Sequence, residues 1–288
     1  MAGRQQLRAG GGALIVRVEA NPYAYLAHHG TSPLVRLEVG TGWTAISADT
    51  DARPLNTVFA HSFTVRGLPG RVRAICGRAP HSRAQDWWVG PDAQPSGLAA
   101  RLEALGLEPL PPVRMMTARL AAVTPAERRV DVRPVTTRAE LADFMGVYAS
   151  AYGWTAVTSD FGHRVLASLF SASSPDDAPL GHVVVRADGT PVAVASVFRH
   201  EGVAGLYNVA TDPRARGRGF ATAAVRAALS RAYDDGLRTA VLGAEPGAEG
   251  IYRRIGFTNT GLLHRLRYTA PAADGRIRPQ DARRTHPA

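Results

Sequence analysis

Lysine is missing from the chain, and all 34 basic residues are arginine. A nucleotide P-loop is thereby excluded, since its Gly-Lys-Ser/Thr turn depends on the lysine. Cysteine occurs once, at Cys76, which rules out an internal disulfide and any multi-cysteine metal cluster. The three-glycine dinucleotide fingerprint and the Gly-x-Ser-x-Gly elbow of hydrolases are both absent. His28 and His29 are adjacent and point apart in regular structure, and the other histidines show no ligand spacing, so no metal is expected. No apolar run approaches the ~20 residues that cross a bilayer. Residues Met1–Gly12 lack the apolar segment of a secretion signal, and a cytoplasmic protein is expected.

What remains is a chain of 288 residues, 45% hydrophobic and 20% charged, long enough for two domains with separate cores. Its net charge of +10 invites a nucleic-acid reading. No dense basic and aromatic stripe accompanies that charge, however. The surplus is better matched to an anionic small molecule, and nucleic acid is not an expected partner.

The most informative stretch is Leu206–Ala221. Leu206, Asn208 and Ala210 alternate with Tyr207 and Val209 as in a strand, which Asp212-Pro213 ends. Gly217 and Gly219 follow, and helical spacing begins at once with Phe220, Ala221, Ala224, Val225, Ala228 and Leu229. A strand feeding a glycine-rich turn into a helix suits phosphate: the first amides of the helix lack partners and its dipole favours negative charge. Arg216 and Arg218 add guanidinium groups at the same place.

Arg216, Gly219 and Ala221 match Arg/Gln-x-x-Gly-x-Gly/Ala, and Tyr252 through Gly256-Phe257 matches Tyr-x-x-x-Gly-Phe further on. With these two spaced motifs the chain resembles the GCN5-related N-acetyltransferases, the GNAT superfamily. The resemblance implies an α/β fold with a mixed sheet across residues 130–269. Acetyl-CoA, or another acyl-CoA, is the implied co-substrate. Its pyrophosphate falls to Arg216, Gly217, Arg218, Gly219, Phe220 and Ala221, and its pantetheine arm to the backbone of Asn208, Val209, Ala210 and Thr211, where the strand splays from Thr239–Gly243. An amide at Asn208 or Val209 becomes the oxyanion donor. Tyr252 becomes the general acid, since a phenol stays protonated to about pH 10 and can serve the departing thiolate. For a general base, Glu245 and Glu201 are the candidates. Tyr152, Trp154 and Phe161 fall where the superfamily places its acceptor pocket.

Residues 13–125 read as a second mixed α/β unit. Strands are expected at Ala13–Glu19, Leu34–Val39, Trp43–Ala48, Asp86–Val89 and Arg114–Leu120, with helices at Asn21–His29, Gly70–Gly77 and Ser96–Leu105. Ala100–Glu108 echoes Gly250–Thr258 with Gly106 aligned on Gly256, and Leu102 stands where the later copy has Tyr252. This unit is therefore expected to be a degenerate GNAT-like copy without an intact phosphate loop. Pro125–Asp131 is the expected junction, Phe257–Leu262 and His264–Tyr268 are expected as two closing strands, and residues 270–288 as a disordered tail.

The expected activity is direct acyl transfer to the primary amine of a small molecule, in a monomer or homodimer. Two rivals are a GNAT-fold transferase with aminoacyl-tRNA as donor and a non-catalytic CoA-binding module. Tandem GNAT proteins with a worn first half make the two-unit arrangement a natural one.

Overall fold

A computed structural model describes residues 18, 20–50, 52–78, 84–121, 130–171 and 178–270. One sheet of 11 strands runs through it. The N-terminal half supplies a helix over residues 20–29 (α1), strands β1 (Arg36–Gly40), β2 (Trp43–Ser47) and β3 (Thr57–Ser62), helix α2 (Leu68–Cys76), β4 (Ala84–Gln94), α3 (Leu98–Ala104) and β5 (Glu108–Arg119). The C-terminal half adds β6 (Asp131–Pro134), α4 (Arg138–Tyr152), α5 (Ala156–Ser171), β7 (Leu180–Ala187), β8 (Thr190–His200) and β9 (Val203–Thr211). It closes with α6 (Phe220–Asp234), β10 (Thr239–Ala244), α7 (Glu249–Ile255) and β11 (Thr258–Thr269).

Spatial order is β1-β2-β3-β4-β11-β5-β10-β9-β8-β7-β6. The two last strands have changed places: β5 lies between β10 and β11, and β11 lies between β4 and β5. Each half is therefore completed by a strand of the other. Leu266 of β11 packs in the core of the N-terminal half with Trp87 and Leu102, while Met116 of β5 packs under α6 with Leu242 and Phe257. Half-buried Arg267 and Asp86 tie the exchange at 2.9 Å.

In the C-terminal half, period-two burial on β7 and β8 feeds two layers. Val183, Val185 and Val197 meet α6, and Val184, Val194 and Phe198 meet α4 and α5. The start of α4 is set by a capping box in which Thr137 and Glu140 each accept from the other's backbone amide. Its end is set by Gly153, at φ +63°.

The echo around the two glycines has a structural counterpart. Gly106 and Gly256 both take positive φ, at 95° and 105°. The amide of the next residue closes each helix alike, Leu107 onto the Leu102 carbonyl and Phe257 onto the Tyr252 carbonyl. In both halves a parallel strand pair precedes that helix, β3 with β4 and β9 with β10.

Several local expectations need correction. Val18 is helical where a strand was expected to end; residues 13–17 and 19 of that segment lie outside the described ones, as do residues 125–129 of the expected junction and the tail beyond residue 270. β3 was not anticipated. β11 is continuous, with irregularities at Asn259/Gly261 and Leu263/Arg265, because it must reach along both β5 and β4. β5 begins six residues earlier than Arg114, through Pro109, Pro111 and Pro112. Prolines cannot donate to a ladder, but they fall beside the second irregularity, where the Arg265 guanidinium donates to the Pro111 carbonyl at 2.7 and 2.9 Å.

Candidate active site

β9 and β10 pair only from Val203/Thr239 to Val241/Gly205, and beyond that point they diverge. Opposite the gap, β9 carries a bulge: Asn208 and Val209 together face Ala195 of β8. Asn208 sits at φ +51°, a conformation that costs a non-glycine residue about 1 kcal/mol or more. The extra residue turns the strand over. Leu206 and Ala210 were expected on one face; Leu206 instead packs under α6 and Ala210 against the α4–α5 layer.

Side-chain hydrogen bonds hold the bulge. Asn208 Nδ2 donates to Tyr25 Oη at 3.0 Å and to Ser196 Oγ at 3.2 Å. Ser196, itself buried, lies 2.7 Å from His182 Nδ1. Ser196 Oγ accepts from Asn208 and keeps both a proton and a second lone pair for His182, so it can serve either neutral tautomer of the ring. Burial lowers the His182 pKa to about 3, which keeps the ring neutral. Tyr25, carried on α1, stacks on Tyr207 with centroids 3.7 Å apart and planes 1° from parallel. Tyr207 Oη donates to Asn21 Oδ1 at 2.8 Å. Asn21, fully buried, donates back to the Val203 carbonyl at 3.2 Å. A Cβ at Gly205 would overlap the Asn21 amide oxygen, so glycine there lets α1 close on β9.

Where β9 ends, Asp212 turns the chain by accepting from the Arg214 amide and from Ser150 Oγ. Gly217 and Gly219 follow at φ +75° and +84°, and a Cβ at either would point into open space. Gly219 is the N-cap of α6 and brings no side chain to its amides. The first turn of α6 is thus free to meet an anion at the mouth of the β9–β10 gap. Arg216 is placed differently from the expectation of a direct phosphate ligand. Its guanidinium donates to the carbonyls of Thr211 and of Ala151 in the last turn of α4, bracing the loop, with further N–H groups left over. Arg218 lies over the Phe220 ring at 5.0 Å. Thr211 Oγ1 is buried and has no hydrogen-bond partner, a cost that a bound group at this edge can relieve.

A cavity of about 310 Å³ extends from the gap toward the N-terminal half. Asn208, Val209, Gly243, Glu245 and Tyr252 line it from one half, and Tyr25, Thr57, Phe59, Trp88 and Met115 from the other. Tyr252 is 8% exposed, and its pKa is pushed up to about 12 by burial first, then by Tyr152 and Glu245. Glu245 reaches the cavity, but its carboxylate is held by both terminal nitrogens of Arg265, at 2.7 and 2.9 Å. Glu201 is at the exposed β8–β9 hairpin tip, beside His200, outside this lining. The structure thus brings Tyr252, Glu245, Asn208 and Val209 together and leaves Glu201 apart. Tyr152 lines the cavity, Trp154 an adjoining one, and Phe161 neither. Tyr25, Asn21, Ser196 and His182 were missed. Only an isolated aromatic on an amphipathic segment hinted at Tyr25, and buried polar residues on hydrophobic strands carry no local sign of their partners.

Residues 114–252 match the family model described as the acetyltransferase (GNAT) domain. Solved structures share the fold. A GCN5-related N-acetyltransferase from Kribbella flavida superposes with a TM-score of 0.64 at 23% identity, covering 85% of this chain and 92% of its own. One from Sphaerobacter thermophilus gives 0.57 at 18% identity, with 82% and 84% covered. A tandem GNAT protein from the clavulanic acid biosynthesis pathway gives 0.54 at 17%, with 84% and 85% covered. No curated protein matches. The chain thus resembles the GNAT acetyltransferases over residues 114–252 and shares the mixed α/β fold of these structures.

Proposed function

We propose that the protein is an acyl-CoA-dependent N-acyltransferase that acetylates a small-molecule primary amine. The observation that carries this is one continuous feature: the β9–β10 gap, with an uncapped glycine-rich helix start at one end and Tyr252 on the wall of the cavity at the other. Residues and group fit. The amides of Phe220 and Ala221 and the bare backbone at Gly217 and Gly219 receive a diphosphate. The unpaired edge of β9 from Asn208 to Thr211 takes the amide groups of a pantetheine arm. Acetyl-CoA supplies an activated thioester.

The remaining chemistry belongs to the chain. The bulge turns an amide at Asn208 or Val209 toward the carbonyl oxygen, and its tie to Tyr25 and Ser196 keeps that donor fixed as charge develops. Tyr252 donates its phenolic proton to the sulfur of the departing thiolate and regains one, through water, from the nitrogen of the adduct as the amide forms. Neither candidate base is well disposed. Glu245 is already neutralised by Arg265, and Glu201 is elsewhere, so the amine gives its proton to water as it enters.

The N-terminal half reads as a degenerate copy of the same unit. Its parallel pair β3–β4 runs in register from Thr57/Asp86 to Ala60/Val89 and, after a register shift, meets again at Ser62/Gln94, whereas β9 and β10 do not pair again; Leu102 stands where the later copy has its phenol. Its retained role is structural: it donates β5 and one wall of the cavity. The test is coenzyme A thiol release from acetyl-CoA in the presence of amines, alongside calorimetry of acetyl-CoA binding. Lack of acetyl-CoA binding would end this reading.

A further inference from the structure

On the far side of the Asn208 bulge lies a smaller cavity of about 100 Å³ that shares Tyr25, Leu26, Pro54 and Asn208 with the larger one. Its other walls come from α4 and α5, chiefly Phe144, Met145, Trp154 and Leu166. Accepting the N-acyltransferase reading, we propose that the acceptor is a monoamine whose single aromatic ring, or branched alkyl group of similar size, occupies this smaller cavity. Its nitrogen then reaches past Asn208 toward Tyr252.

Three observations support this. The first is size: an apolar cavity of about 150 Å³ holds benzene with room to spare, and one of about 100 Å³ is on the scale of a single ring or a compact alkyl group and excludes a sugar pair. The second is charge. The smaller cavity's only imidazole is His29, which is 7% exposed, hydrogen-bonded through Nδ1 to the Tyr25 carbonyl and held neutral by burial. The larger cavity's only carboxylate is Glu245, committed to Arg265. Among the described residues neither space offers a free charge to a carboxylate or a second ammonium, and burying either uncompensated is costly. The third is how the wall is made. A Cβ at Gly162 would press on the Trp154 ring, so this glycine allows the indole to lie flat against α5 and turn its ring, edge-on to Tyr148 at 5.1 Å, into the wall.

The test uses the full chain with acetyl-CoA and thiol release against phenethylamine, phenylalanine, putrescine, glucosamine and propylamine. Phenethylamine should exceed phenylalanine and putrescine by more than about a hundredfold in kcat/KM, because each rival buries an unpaired charge. Leu166→Phe, which fills the cavity, should lower phenethylamine turnover at least tenfold relative to propylamine, while Leu166→Ala should shift preference to bulkier rings. Acetyl-CoA affinity, measured by calorimetry, should stay unchanged in both and reports that each variant is folded. Putrescine, glucosamine or phenylalanine as the best acceptor, or an unmoved preference in both Leu166 variants, would overturn the assignment while acetyl-CoA binding persists. Loss of that binding in the unsubstituted protein would instead remove the acyltransferase reading beneath it.

Discussion

Replacing Tyr252 by phenylalanine removes one oxygen from the cavity wall and leaves the ring where it is. The ring is 8% exposed and meets Phe257 edge-on with centroids 6.1 Å apart, contacts that phenylalanine keeps. Stability should change by less than about 1 kcal/mol, within the range of a single hydroxyl. The catalytic cost is set by how well phenol and sulfur are matched. In water the phenol, near ~10, is a weaker acid than a thiol near ~8.5. Burial raises Tyr252 further, to about 12. A thiolate leaving into the same dry cavity is made more basic by the desolvation that raises the phenol, so burial moves donor and acceptor in the same direction. General acid catalysis contributes about 10²–10⁴-fold, or roughly 3–5 kcal/mol of barrier. We expect kcat for Tyr252→Phe to fall at least about a hundredfold, with acetyl-CoA affinity changed less than about threefold and melting temperature by less than about 2 °C. Thiol release, calorimetry and thermal melts measure the three. A phenol raised to about 12 also predicts no descending limb between pH 8 and 10 in the parent enzyme. A kcat within a few-fold of the parent would refute the proton-donor role.

Other expectations follow from the same geometry. Gly219→Glu forces a side chain onto a residue at φ +84° and sets a carboxylate at the start of α6, so acetyl-CoA binding should be abolished; undiminished binding would remove the proposed cradle. Burial lowers His182 to about 3 and His29 to about 4 from an ordinary 6.5, so the unfolded chain takes up protons that the folded one refuses. Their contribution to stability is complete above pH 6.5 and is lost as pH falls toward 4, by about 1.4 kcal/mol per ring and pH unit. Urea midpoints at pH 7.5 and 5 should show that slope, and His182→Gln should reduce it by about half; a flat profile would contradict the neutral buried rings. A fragment of residues 130–288 lacks β5, leaving β10 and β11 without their common partner. It should be insoluble or bind no acetyl-CoA, and a folded, active fragment would show the exchange to be dispensable.

The parts of the site that are short in sequence were legible in it. The strand, glycine turn and helix of Leu206–Asp234 declare themselves because a missing Cβ, a proline stop and a 3.6-residue period are local properties. Gly106 and Gly256 likewise marked two helix ends, since positive φ is a demand on one residue. Tyr252 could be singled out because its motif lies within a single turn of helix.

Tertiary structure alone decided where the halves meet. Whether β5 pairs with its own neighbours or inserts beside β10 depends on contacts more than a hundred residues apart, and its prolines argued against a long strand altogether. The turn-over at Asn208 depends on Tyr25 and Ser196, which reach it from a distant helix and a neighbouring strand. The sequence already set Glu201 at a turn between strands and Glu245 after the strand nearer the expected thioester, but it held no sign of Arg265. Folding paired Glu245 with Arg265 at the cavity and left Glu201 at its hairpin tip, because charge neutralisation is a matter of distance in space and not of distance along the chain.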